Sequence, residues 1–393
     1  MSTQAVFITA AARTPVGSFQ GAFSDIPAPR LGAIAIREAL AKSNLKADTI
    51  DEVIMGEVLA AGVGQAPARQ AALFAGLPNK TPCLTINKVC GSGLKAVMMA
   101  ADGIRLGNTN IAIAGGQENM TLAPHLLLKA RTGFRMGNTN LVDSMITDGL
   151  WDPYNDFHMG VAAELCVKEN TFSREAQDEF AVSSYKKAQK AQAEGYFKNE
   201  IAAVEVASKK GAIKVDADEE PMKSDLSKIP TLKPAFDKTG SITAANASKI
   251  NDGAAALVLM SEVAMKAQGS KPLAKIISYA THAHDPKWFT TAPAGAMLKA
   301  VKAAGLEMNQ IDLFEINEAF AAVTMVAMKD LKLSSEKVNV HGGAVAIGHP
   351  IGASGARILT TLVHALHLHQ KRYGLATLCI GGGEAVALIV ERV

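Results

Sequence analysis

Short runs in which apolar residues alternate with small or polar ones are separated by stretches that carry apolar residues at helical spacing. Before residue 120 this pattern predicts strands at 6–10, 52–59, 81–86 and 111–114, with helices at about 31–41, 67–75 and 94–106. Strands that alternate with helices imply βαβ units and a mainly parallel sheet. From 120 to 248 the rhythm is lost. Residues 133–156, rich in Gly, Asn, Asp and Thr, read as loop, and 209–238, charged and broken by proline, as surface. Between them 160–169 and 174–194 read as helices, the second with Ser173 at its N-cap and Glu175 and Asp178 in its early turns. Alternation resumes at Asn251, with strands at 255–260, 272–279, 312–316, 375–380 and 385–390. Helices are expected from Glu262 and at 294–304, 318–331 and 354–369, with a glycine-rich turn before the last.

The two regular stretches share a spacing. Ile50-Asp51 is followed seven residues after Ile50 by Glu57, and Ile311-Asp312 at the same distance by Glu318. Ser92-Gly93 opens a helix 42 residues after Ile50, and Ser354-Gly355 opens another 43 after Ile311. The strands that follow end in Ala-Gly-Gly-Gln-Glu (114–118) and Ile-Gly-Gly-Gly-Glu (380–384). This order predicts a duplicated α/β unit. Ligands of open α/β sheets bind at strand carboxyl ends. The turns at Cys90, Asn317, 342–352 and Cys379 are therefore expected on one face, with the insertion above it.

Composition adds bounds rather than chemistry. A chain of 393 residues suggests two or three domains, and 48% hydrophobic residues with 5% aromatic and 33 glycines suit small residues packing helices closely on sheets. A formal charge of +3 gives no reason to expect a nucleic-acid partner. No apolar run approaches the roughly 20 residues of a membrane span. The four cysteines, 83, 90, 166 and 379, show no C-x-x-C spacing and read as reduced thiols. With no basic leader before Arg13 and no peroxisomal address in Glu-Arg-Val, a cytoplasmic location is expected.

Candidate chemistry centres on 87–94, Asn-Lys-Val-Cys-Gly-Ser-Gly-Leu, at a predicted strand-to-helix junction. Gly91 and Gly93 permit a sharp turn, and free N–H groups of a first helical turn would favour a thiolate on Cys90. A buried cysteine in a tight turn fits the same eight residues. His349, among glycines and before Pro350, suits an acid/base or a structural hydrogen bonder. The glycine run around it lacks the spacing and lysine of a nucleotide phosphate loop. Cys379 is a packing residue or a second thiol facing Cys90. Asn317 is a helix N-cap or a group that holds a water.

Lys88-Val-Cys90-Gly-Ser-Gly93, Asn317-Glu-Ala-Phe320, Gly348-His-Pro350 and Cys379-Ile-Gly381 resemble, in order and spacing, the motifs of the thiolases. The resemblance runs from Ala12-Arg-Thr-Pro-Val-Gly17 to Gly381-Gly-Gly383. With Phe157-His-Met-Gly160, Asn246-Ala-Ser248 and Asn251-Asp-Gly253 the chain looks like the short-chain, biosynthetic branch. The resemblance implies duplicated βαβ units in two mixed sheets with helices in layers, plus an inserted loop domain. The implied domains are 1–119 with 249–270, the insertion 120–248, and 271–393.

The implied reaction joins two acetyl-CoA into acetoacetyl-CoA and CoA. His349 would deprotonate Cys90, which carries the acetyl group, and Cys379 would take a methyl proton from the second acetyl-CoA. His349 and an Asn317-held water would face the enolate oxygen, and the N–H groups of Cys90 and Gly381 the acyl oxygen. Leu150, His158, Met159, Ala244, Ser248 and Phe320 match the family's pantetheine tunnel. The family's arginine after the acidic run near 219 is missing, which leaves Lys223 or Lys228 as point charges for the CoA phosphates. Lys249, where a small residue is common, would alter affinity or point to solvent. No cofactor or metal is expected, and no potassium dependence, since Glu219-Glu-Pro-Met has no tyrosine. Lys129–Arg135 matches the loop through which tetrameric members associate, so a homotetramer is expected. The alternatives are a degradative thiolase of broader chain length and an inactive acyl-CoA-binding relative.

Overall fold

The computed structural model describes residues 4–209 and 211–393. Its main strands are β1 (Val6–Arg13), β2 (Glu52–Gly56), β3 (Cys83–Ile86), β4 (Ile111–Asn119) and β5 (Asn251–Ser261), then β6 (Ala274–Ala283), β7 (Leu313–Ile316), β8 (Tyr373–Ile380) and β9 (Glu384–Arg392). They lie in one sheet in the order β7-β8-β9-β6-β1-β5-β4-β2-β3, with the short strand Gly17–Ser18 added to β5. The first half runs β1-β5-β4-β2-β3. The second repeats that order as β6-β9-β8-β7, and Val338, bridged in parallel to Phe314, takes the place of β3. The halves join edge to edge, where Val6–Ile8 of β1 runs antiparallel to Ala274–Ile276 of β6.

The mainly parallel sheet read from strand alternation is corrected to a mixed one. Only β2 with β3, β2 with β4 and β7 with β8 pair in parallel. Strand β5 enters from the insertion rather than from a βα crossover and returns antiparallel between β1 and β4. β9 follows β8 through a tight glycine turn, which forces an antiparallel pair.

Equivalent backbone devices mark the duplication. The Asp51 carboxylate accepts the N–H groups of Asn110 and Ile111 at 2.8 and 2.9 Å. The Asp312 carboxylate accepts those of Arg372 and Tyr373, both at 3.0 Å. In each half an aspartate therefore satisfies the start of the equivalent strand, which in the second half leads to the glycine turn 381–383 and in the first carries Gly115-Gly116 within it.

The main helices are α1 (Ala28–Ser43), α2 (Pro67–Phe74), α3 (Ser92–Arg105), α4 (Met159–Asn170), α5 (Arg174–Ala193), α6 (Ala292–Ala304), α7 (Ala321–Leu331) and α8 (Ile351–Leu368), with the short helix anticipated from Glu262 at Glu262–Ala267. α3 and α8 share a core with strands of both halves, including Leu94, Val97, Ile358, Leu362, Leu257 and Leu388. α1 and α2 cover the other face of the first half, and α6 that of the second. Ser173 caps α5 as its sequence predicts, its Oγ accepting the Ala176 N–H at 3.1 Å. The glycine-rich run at 342–352 holds a short helix, Ala344–Ile347, and α8 begins at Ile351 rather than 354. α7 begins three residues later than the apolar spacing suggests, because Asn246 of the insertion takes the N–H of Ala321 at 2.8 Å. Stretches read as loop contain a π-helical turn, Met145–Leu150, and the hairpins Trp151–Asp152/Phe157–His158 and Val204–Ser208/Gly211–Val215. No helix among the described residues is long and apolar enough to cross a membrane.

Candidate active site

Cys90 sits between β3 and α3 on a turn that places Val89 at φ +46°. A branched side chain in the left-handed region is strained. The turn holds because Ser92 Oγ accepts the Lys88 N–H at 2.8 Å and donates to the Val89 carbonyl at 2.7 Å. Gly93 is required for helix approach: a Cβ there would lie 2.7 Å from the Ala356 nitrogen of α8. Gly355 does the reciprocal service against Leu94, so the amino ends of α3 and α8 interlock. Lys88 pairs with Glu384 across the two halves.

The Cys90 thiol is pushed up to about 12 by burial, partly opposed by the backbone N–H groups of Gly381 and of Cys90 itself, which favour a charged sulfur. Those are the two donors anticipated for an acyl oxygen. Cys379, at the end of β8, is buried, and its thiol is held well above its ordinary value by burial first and then by the proximity of Cys90. The two thiols therefore share one electrostatic environment although 289 residues separate them.

His349 is 5% exposed, and burial lowers its imidazole to about 3, with Arg357 adding to the effect. Its Nδ1 lies 2.6 Å from Ser354 Oγ, which donates its own proton to the Pro350 carbonyl at 2.8 Å. Ser354 must therefore accept, so Nδ1 carries the proton and Nε2 presents a lone pair. Asn317 Nδ2 lies 3.4 Å from that Nε2, and Asn317 Oδ1 is buried with no partner. Asn317 is not a helix N-cap: Phe320 occupies that position of α7. An orphaned buried amide oxygen suits an ordered water.

Three side chains from separate elements hold the His349 loop. Asn251 Oδ1 accepts the His349 N–H at 3.0 Å, Glu318 accepts that of Val345 at 3.1 Å, and Glu118 that of Gly352 at 2.8 Å. Glu118 also takes the Val58 and Leu59 N–H groups, each at 3.1 Å, and so ties the loop after β2 to the start of α8. Burial lifts its carboxyl to about 7. The sequence marks Glu57, Glu118 and Glu318 only as signs of the repeat; as clasps, Glu318 reaches Val345 27 residues on, whereas Glu118 reaches Gly352 234 residues away.

The cavity beside this centre has a volume of about 400 Å³ and is lined by Leu150, His158, Ala244, Ser248, Phe320 and His349, all anticipated. Met159, also anticipated, does not line it and sits instead in a core cluster with Cys379, Ala247 and Phe320. His158 Nδ1 accepts the Gly160 N–H at 3.0 Å and burial lowers the ring's affinity for a second proton, which leaves Nε2–H as its donor. Phe236 stacks on His158 with centroids 4.9 Å apart. Sequence reading missed Phe236, Phe19, Met120 and Ile351 as wall residues, which reach the cavity from four distant segments. Lys223 and Lys228 do not line it. Lys223 donates to Glu219 at 2.9 Å and to Ser18 at 3.0 Å, and Lys228 pairs with Asp225 at 3.4 Å. Lys249 does line it. Among the described residues no group of three or more His, Cys, Asp or Glu is placed to hold a metal ion.

Glu57, 2% exposed, is lifted to about 8 by burial and by Glu118, and only its Oε2 has a partner, Gln117 at 2.6 Å. A carboxyl raised in the folded state binds a proton that the unfolded chain has lost above about pH 4.5. Its stabilising contribution is full at low pH and is lost as pH rises through about 8. Glu57→Gln is expected to melt above the wild type at pH 8 and to show a flatter midpoint between pH 5 and 8. A steeper pH dependence in calorimetry would refute this.

The N-terminal domain of thiolase matches residues 6–263 and its C-terminal domain residues 270–392. An acetyl-CoA acetyltransferase of Cupriavidus necator is 54% identical over 390 residues, covering 98% of this chain and 99% of that protein. Another from Pseudomonas aeruginosa is 51% identical over 391 residues, covering 99% and 100%. The crystal structure of the Bacillus anthracis acetyl-CoA acetyltransferase superimposes with a TM-score of 0.97 at 40% identity, covering all of both chains. The two halves of the sheet thus correspond to the two thiolase domains, and the chain belongs to the thiolase family, with the acetyl-CoA acetyltransferase type as its nearest kind of relative among these.

Proposed function

We propose that the chain is an acetyl-CoA C-acetyltransferase, joining two acetyl-CoA into acetoacetyl-CoA and CoA through acetyl-Cys90. The observation that carries the reading is the electrostatic pairing of half-buried Cys90 with buried Cys379, in a chain whose buried His349 imidazole is neutral and presents its Nε2 lone pair, the Gly381 and Cys90 N–H groups favouring a charged first sulfur. His349 Nε2 takes the Cys90 proton as the sulfur attacks the thioester carbon, and the Cys90 and Gly381 N–H groups receive the developing oxyanion. One such donor is worth roughly 10²-fold or more in rate. The carbon–sulfur bond to CoA then breaks.

Cys379 rests protonated, so it must lose a proton before it acts as a base. The departing CoA sulfur supplies the acceptor. Acetylation also removes the ionisable Cys90 thiol, so no thiolate there can oppose ionisation of Cys379. The resulting Cys379 thiolate takes a methyl proton from the second acetyl-CoA, the carbanion attacks acetyl-Cys90, and the Cys90 sulfur leaves and is reprotonated from His349. His349, carrying a proton on Nε2, and a water on Asn317 stabilise the enolate oxygen meanwhile. CoA thioesters are the substrates, and no further cofactor or metal takes part in this scheme.

The bulky wall residues Leu150 and Phe320, the latter packed in one core cluster with Met159, support a short acyl chain. Thiolysis of acetoacetyl-CoA by CoA, followed by loss of the enolate absorbance, is expected to outpace that of longer 3-ketoacyl-CoA. A long-chain preference would move the chain to the degradative branch, and inactivity at every length would remove the enzymatic reading. The same reading places a homotetramer in the cytoplasm. Edge strand β3 exposes Leu84, and the loop beyond the hairpin His125–Leu126/Val142–Asp143 exposes Leu128, Met136 and Leu141. An apolar patch of this kind suits an interface.

A further inference from the structure

The CoA-like part of the substrate carries several negative charges beyond its pantetheine arm, and few groups at the cavity can meet them. Apart from the neutral rings of His158 and His349, the charged side chains that line the cavity are Lys249 and Glu220. The loop lysines are committed elsewhere, Lys223 to Glu219 and Ser18, Lys228 to Asp225. Lys249 follows Ser248 directly, and its ammonium donates to the carbonyl of Ala244, another wall residue. It also stands 5.6 Å from the centroid of the Tyr185 ring. Both contacts keep the ammonium at the cavity wall rather than extended into solvent. Neither neutralises it, since a carbonyl and a ring face carry only partial negative charge.

We infer that Lys249 is the cavity's own phosphate contact, recognising the nucleotide phosphates of CoA in place of a guanidinium on the 220–228 loop. The inference rests on the proposed use of CoA thioesters. An ammonium on a four-carbon stem meets phosphate as a movable point charge, and its one hydrogen bond to a neutral carbonyl is readily exchanged for one to an anion. Glu220, which also lines the cavity, repels the same phosphates, so the single lysine carries a larger share of selectivity than an isolated surface cation would.

The test is calorimetric binding of CoA, 3′-dephospho-CoA and pantetheine to the full-length wild type and to Lys249→Met and Lys249→Arg. A charge-assisted contact at a partly exposed site predicts about a ten-fold loss of CoA affinity in Lys249→Met relative to its change for pantetheine. Added salt should shrink the loss, and Lys249→Arg should restore most of it. Equal loss for dephospho-CoA assigns the contact to the diphosphate, whereas a loss confined to CoA assigns it to the 3′-phosphate. An equal change for CoA and pantetheine, or no change for either, overturns the inference. Turnover of acetoacetyl-CoA by the wild type, measured alongside, tests the catalytic reading separately from this one.

Discussion

Cys90→Ala is expected to lower acetoacetyl-CoA formation by about 10⁵-fold or more and to abolish the mass gain of one acetyl group on incubation with acetyl-CoA, as loss of a covalent nucleophile does elsewhere. The turn that carries Cys90 is built by Ser92 Oγ, by the left-handed Val89 and by the Gly93 interlock, none of which needs the sulfur. The variant should therefore fold, and its melting point near that of the wild type separates lost chemistry from lost structure. Cys90→Ser tests the same centre more finely. A hydroxyl keeps the volume and the two N–H partners but is a poorer nucleophile, so acylation should fall steeply without vanishing. Full activity in either variant would place the acyl group on another residue.

Cys379→Ala is expected to separate the two half reactions. Cys90, His349 and the paired N–H donors remain, so one CoA should be released per site from acetyl-CoA and the acetyl group should stay on Cys90. Condensation should fall by about 10³-fold, within the range for loss of a general base. Exchange of deuterium from solvent into the acetyl-CoA methyl group should fall with it. Because burial and Cys90 together hold the Cys379 thiol protonated at rest, mild alkalinity should not rescue the free enzyme by ionising it. Continued methyl exchange in Cys379→Ala would give the carbon acid's base to a different group and leave Cys379 a packing residue of the cluster it shares with Met159 and Phe320.

Much of this arrangement is legible in the sequence because it rests on local rules. The repeat shows at Asp51 and Asp312, since each aspartate answers a backbone need set by its own turn. Ser173 reads as a cap because capping is decided within four residues. The motifs around Cys90, His349 and Cys379 stand out because each combines a reactive side chain with glycines in the adjoining backbone. Strand direction is less accessible. Nothing within 251–261 tells that β5 lies between β1 and β4, because pairing there depends on partners more than 130 residues away.

The same distinction governs the site. Glu118 and Glu318 are visible as letters of the repeat, but the grip of Glu118 on Gly352 is a property of the assembled halves, and that of Glu318 on Val345 depends on how the intervening helix and loop fold back. Phe19 comes to the cavity only because Gly17–Ser18 pairs with Asn251-Asp252. Lys223 and Lys228 were placed by their proximity in sequence to a missing arginine, and in space local carboxylates engage both. Charges on a loop find their nearest opposite first, and the sequence does not say which partner is nearest.

The duplicated sheet has a consequence for symmetry. A chain made of two equal copies has, in principle, room for two equivalent reaction centres. The repeat aligns Asn317 with Gly56 and Cys90 with Gly352, and at each of these glycines the neighbours leave no space for a side chain. A Cβ on Gly352 would lie 2.7 Å from the Glu118 carboxylate, and one on Gly56 would strike Ser92 in the turn that carries Cys90. The copy that would have been a second centre has become the mounting of the first. Divergence after duplication here cannot be undone one residue at a time, because each lost group has been replaced by a contact on which the surviving site stands.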